Sequence, residues 1–121
     1  MSNSVTFNVD GQPLCTVQFT PLNKEVLEKA SAALRKEHGR KFTPGDMDFD
    51  ELGEFNAECV RLVTEHLTMA DGTRPLLGKP PEAQRRFFRE ARNEALMNGI
   101  AKAAKRMADE AKVELEVTSG N

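Results

Sequence analysis

The sequence predicts an α+β fold, mostly helical, with an N-terminal β-hairpin packed on three helices. Three patterns point to it. Two short runs alternate with period two around an Asp-Gly pair, two segments place apolar residues at helical spacing, and one long segment consists almost wholly of good helix formers. The chain has 121 residues, the length of one domain, and residues 1–117 are expected to form it. A domain of this size can bury enough surface to fold without disulfides or metal.

Val5, Phe7 and Val9 alternate with Thr6, Asn8 and Asp10, and Cys15, Val17 and Phe19 alternate with Thr16, Gln18 and Thr20. Each run reads as a half-buried strand, and Asp10-Gly11-Gln12-Pro13 between them carries a hairpin turn signal. The hairpin is expected over 4–20. For both apolar sets to share one face, odd residues must pair with odd ones, such as Phe7 with Val17 or Cys15. A strict two-residue loop would break that parity, so a three- or five-residue loop is expected.

Thr20-Pro21 suggests a helix start, with Thr as N-cap and Pro in the first turn. Leu22, Val26, Leu27, Ala30, Ala33 and Leu34 then make one stripe, and His38-Gly39 supplies the stop, giving a helix over about 21–38. Residues 40–47, with Thr43-Pro44-Gly45, read as a loop. A second helix is expected over about 48–67, with Leu52, Phe55, Cys59, Leu62, Val63, His66 and Leu67 on one face. Asp48, Asp50, Glu51 and Glu54 crowd its first turns, where the helix dipole favours negative charge. Residues 69–81 form a turn-rich connection pinned by Leu76 and Leu77.

The third helix is expected over about 81–111. Its 31 residues would span roughly 46 Å at 1.5 Å each. A compact chain of this length is only about 35 Å across. The helix must therefore break near Asn98-Gly99 or overhang. Its second half carries Leu96, Ile100, Ala103, Ala104, Met107 and Ala111 along one face, and an overhanging apolar face in water needs a partner. Val113, Leu115 and Val117 alternate with polar residues, so 113–117 fits either a strand added to the hairpin or a fraying helix end. Residues 118–121 are expected to be a disordered tail.

Composition narrows the function classes. There are 17 Lys+Arg against 19 Asp+Glu, and neither Trp nor Tyr. No basic arm or acidic tail is present, and no window approaches the 18 unbroken apolar residues of a membrane span. Residues 1–10 lack the basic start and apolar run of a signal peptide. Cys15 and Cys59 form no C-x-x-C pair and read as buried thiols in a reducing cytoplasm.

Candidate chemistry is thin. Asp46, Asp48 and Asp50 begin like a calcium loop, but the positions needing Gly and Glu hold Glu51 and Ala57, so a capping cluster is expected. Gly72 to Lys79 has the wrong spacing for a phosphate loop, and Pro80 stands where Ser or Thr would hold magnesium. Cys59 and His66 share a helix face but have no third ligand or orienting acid, and His38 reads as a helix-end residue. No catalytic, cofactor-binding or metal-ligating residue is assigned, and no enzymatic activity is expected. Charge, by contrast, is segregated. Lys79 to Arg106 holds eight basic and three acidic residues, while Asp46 to Glu58 holds six acids and no base. The two segments can neutralise each other within one chain or pair between chains.

The hairpin, the run Val17-Gln18-Phe19-Thr20-Pro21-Leu22-Asn23-Lys24-Glu25 leading into a helix, two amphipathic helices, a charged helical C-terminal part and the polar end Thr118-Ser119-Gly120-Asn121 together resemble the tail assembly chaperones of long-tailed bacteriophages. The resemblance implies a non-enzymatic, cytoplasmic protein of the bacterial host cell that shields a hydrophobic tape-measure protein and helps tail-tube subunits assemble, often as a homo-oligomer. On this reading Leu96, Ile100, Ala103 and Met107 cover a client's apolar helical segments. Arg85, Arg86, Arg89 and Arg92 add orientation and association rate. No membrane partner is expected, and net negative charge counts against nucleic acid. The alternative is a small phage- or mobile-element-encoded inhibitor whose acidic stretch 46–58 occupies a nucleic-acid or nucleotide site of another protein.

Overall fold

The computed structural model describes residues 3–9, 11–39 and 47–119. Strands β1 (Asn3–Val9) and β2 (Gln12–Phe19) lead into helix α1 (Lys24–His38); α2 (Phe49–Val63) runs directly into strand β3 (Thr64–Met69); α3 (Pro81–Arg89), a 3-10 turn (Ala91–Asn93) and α4 (Glu94–Ser119) complete the order. The class is α+β with a helical majority, and the sheet is antiparallel in the order β1-β2-β3.

Parity governs the hairpin as the alternation requires: Val5 pairs with Val17 and Phe7 with Cys15. Beyond Phe7 the register shifts, and Asn8 pairs with Pro13 and Val9 with Gln12, so Leu14 is an extra residue on β2. That bulge corrects the expected three- or five-residue loop. Only two positions separate the strands, because one bulged residue restores the parity that a short loop would break.

Cys15, Val17 and Phe19 of β2 and Leu67 of β3 are buried on one sheet face. They pack with Val60 and Val63 of α2, Phe88 of α3, and Leu96, Met97, Ile100 and Ala104 of α4. A second cluster joins Ala30 and Leu34 of α1 to Phe55 and Cys59 of α2. The other sheet face is exposed; Thr6 and Thr16 hydroxyls there approach to 3.5 Å.

Several expected boundaries move. α1 begins at Lys24, not at Pro21, because Asn23 is the N-cap and its side chain accepts from Val26 N. Thr20 instead donates its backbone N–H to the Val63 carbonyl at 2.9 Å, and Leu22 N–H donates to Ala104 O, tying the connection to α2 and α4. Gly39 ends α1 in the left-handed region, as its position after His38 suggested. Asp48 caps α2 with a capping box: its carboxylate accepts from Glu51 N, and Glu51's carboxylate accepts from Asp48 N.

The helix expected over 48–67 is overturned in its last turn. It stops at Val63, and Thr64–Met69 becomes the third strand, antiparallel to β2. Leu67 opposite Val17 and Met69 opposite Cys15 continue the apolar face, whereas His66 opposite Gln18 lies on the exposed face. The third strand therefore does not come from 113–117, which is helical within α4. The helix expected over 81–111 is also corrected. It breaks at 90–93 rather than at Gly99, and the described residues hold four α-helices rather than three. Asn93 makes the break: buried, it donates its side-chain amide to Phe87 O, and its backbone N–H goes to Glu90 O. Gly99 stays helical, and the Phe7 ring packs where a Cβ would stand. Thr118 and Ser119, expected in a disordered tail, are helical; the rest of that tail, Asp46 and the Thr43-Pro44-Gly45 loop lie outside the described residues.

Candidate functional site

The break at 90–93 turns the chain between α3 and α4, and this decides which apolar residues remain available. Leu96 and Ile100, expected on an uncovered face, are buried in the main core; Ala103 and Met107 are partly buried against it. The anticipated overhang is corrected in its first four helical turns, because breaking the helix lets both halves pack on one body. No helix among the described residues is long and apolar enough to cross a membrane.

The basic residues divide into two kinds. Arg85, on α3, is buried; its guanidinium donates to both carboxylate oxygens of Glu37 at 2.6 and 3.0 Å and lies 3.7 Å from Glu54 and Glu58. Donating to Glu37 makes the guanidinium hold its proton more tightly than usual, against the opposing effect of burial. Buried Glu58 also receives two bonds from Arg61, at 2.7 and 2.9 Å. Arg89 bonds Glu54 at 3.3 Å and lies over Gly53, whose missing Cβ leaves room for the guanidinium. These contacts zip α3 to α1 and α2, and through Arg85 and Arg89 the basic segment meets Glu54 and Glu58 of the acidic one within one chain. Arg86 is exposed, and exposed Arg92 bonds Glu90 at 2.7 Å.

What sequence reasoning missed stands beside this zip. Phe49, the first residue of α2, is 89% exposed, and Leu52 one turn later is 40% exposed. They border a groove of about 350 Å³ between α2 and the α3–α4 break. Its walls include Asn56, Asn98 and Arg89, and Phe88 and Met97 contribute to its lining. Phe88 is fixed from behind by an edge-to-face contact with Phe87, ring centroids 5.3 Å apart. Phe49 was obscured in the sequence by its neighbours Asp48 and Asp50, which make that turn read as a charged cap. The signal that could have found it is its phase: at 100° per residue it lies about 80° from Cys59 and about 120° from Phe55, at the margin of the buried stripe.

Other sequence candidates separate. Cys59 is buried on α2 while His66 is exposed on β3, so they form no pair. Burial, helped by the charge of Glu58, pushes the Cys59 thiol up to about 12, and burial also raises Cys15. Gly72 and Gly78 sit in turns with φ near 88° and 74°, not in a phosphate loop. Among the described residues no group of three His, Cys, Asp or Glu is placed to hold a metal ion. No known protein family, curated protein or solved structure matches this chain.

Proposed function

We propose that this chain is a non-enzymatic binding protein that shields an apolar helical segment of a client, with Phe49 and Leu52 as the main contacts. The observation that carries it is a phenylalanine left 89% exposed at the rim of a groove. An exposed aromatic beside a preformed recess of mixed lining is a usual form of binding anchor. Burying both side chains in an interface contributes about 3 kcal/mol before ordering costs, roughly a hundredfold in affinity. Exposed Arg86 and Arg92 add association rate, as rim charges do.

Following the layout resemblance, the client is a phage tape-measure protein, and the role is tail assembly chaperone in the host cytoplasm. The contact proposed here is on α2, not the Leu96–Ile100–Met107 face of α4, because Leu96 and Ile100 are already buried within the chain. The inhibitor alternative has little to draw on: Glu54 and Glu58 face arginines, while Asp48 and Glu51 close the capping box.

Co-expression with the tape-measure protein of the same genome tests this. The client should be soluble with the native chain and insoluble with the Phe49→Ser, Leu52→Ser double variant. Equal client solubility with native chain, double variant or empty vector would reject the proposal.

A further inference from the structure

The two outer edges of the sheet differ. β3 carries Glu65 as an extra, bulged residue, and Met69 N–H donates to Thr73 O in the turn beyond it. Charge, a bulge and a flanking loop are the ordinary devices that keep an edge strand from pairing. Among the described residues β1 has none of them. Its seven residues, Asn-Ser-Val-Thr-Phe-Asn-Val, contain no charge and no proline, and the bulge in the hairpin falls on β2. Among the described residues, the backbone of β1 pairs with β2 alone. Its core-facing side chains Val5 and Phe7 are only partly buried, so the apolar layer of the sheet ends unfinished at this edge.

We infer that β1 is a self-pairing edge: two copies of this chain join antiparallel, β1 to β1, across a two-fold axis at Thr6, making one six-stranded sheet. The occupant follows from the strand itself. In a two-fold antiparallel pair, an axis between residues would set the polar face of one strand against the apolar face of the other. An axis through a residue preserves the faces, and Thr6 is the centre of Asn3–Val9, giving full overlap. Val5 then lies opposite Phe7 of the other copy, completing the unfinished layer, and Ser4 lies opposite Asn8. With no charge in the strand, nothing repels the second copy. A two-fold interface is self-complementary by construction, and a closed dimer of this kind covers the β1 edge of both copies, leaving only the bulged β3 edges outside.

Light scattering on the full chain over a dilution series should give twice the 13.4 kDa of one chain at high concentration. Ser4→Lys, Thr6→Lys and Asn8→Lys together set lysine opposite lysine at every one of these pairs across the axis and should return the mass to one chain. Thr16→Lys, on the same exposed face but on the central strand, should leave the dimer intact. Register is checked separately with a short bismaleimide. Thr6→Cys should cross-link to itself, whereas Ser4→Cys should not, since two Ser4 positions stand roughly 13 Å apart along the strands. A one-chain mass at every concentration, a dimer indifferent to the three lysines in a folded chain, or equal cross-linking at both cysteines would overturn the inference.

Discussion

Replacing Arg85 with Met would show how much the charged zip contributes to the fold. The side chain is 10% exposed and meets three carboxylates: Glu37 through two hydrogen bonds, Glu54 and Glu58 at 3.7 Å. Removing one partner of a buried ion pair typically costs about 3–5 kcal/mol, because the remaining charge is left uncompensated. Here that charge has relief. Glu37 and Glu54 are 41% and 38% exposed and regain water, and Glu58, only 4% exposed, keeps both bonds from Arg61. The loss should therefore be about 2–3 kcal/mol, below the usual range. Met retains most of the aliphatic stem, so lost packing adds little. Urea unfolding followed by circular dichroism reads the change directly, with Arg86→Met as the exposed reference, expected within about 0.5 kcal/mol of the native chain. If Arg85→Met matches Arg86→Met, the zip is solvated and the charge argument is wrong.

Gly99→Ala forces a methyl to 2.6 Å from the Phe7 ring. Overpacking of about 1–3 kcal/mol should outweigh the roughly 1 kcal/mol gained in helix propensity, so a stabilised variant in thermal melts would contradict the packing described. Cys59 has its folded pKa raised from 9.0 to about 12, so its contribution to stability is complete below pH 9 and is lost as pH climbs toward about 12. Denaturation from pH 8 to 11 should show that decline, and Cys59→Ala should flatten it; no difference between the two chains would refute the assignment. At neutral pH both thiols should react with a disulfide reagent only at the rate of unfolding, and prompt labelling would place one at the surface. Asp71 accepts from the Thr73 hydroxyl at 2.6 Å and its N–H at 2.9 Å, which holds the carboxyl below its ordinary value. Thr73→Val should raise it part of the way back by NMR titration, since the N–H bond survives; an unchanged value would mean the hydroxyl bond does not form.

Local chemistry made much of the fold legible. The parity of the hairpin, Gly39 after α1, and the acidic start of α2 each follow from residues acting within a few positions. The failures share another cause. Leu62, Val63, His66 and Leu67 fit a helical stripe, but Leu67 and Met69 fit a strand equally well, and pairing with β2 decides between them. That pairing is long-range and leaves no local mark. Likewise Glu90 to Asn93 contain no proline or glycine, so nothing nearby forbids a continuous helix; the buried Asn93 amide and the core on both sides break it. The opposite charge runs were readable, but which arginines are buried was not. The exposed Phe49 was hidden because a residue's phase matters only once the opposing helices are in place.

Affinity for a soluble tape-measure segment, measured side by side for the native chain and Phe49→Ser, tests the proposed function most directly. Because Phe49 is 89% exposed, its loss should leave the unfolding midpoint unchanged. Binding should weaken by about thirtyfold, the equivalent of roughly 2 kcal/mol of buried aromatic surface. Equal affinity in the two chains, with both folded, would contradict the placement of the client on α2.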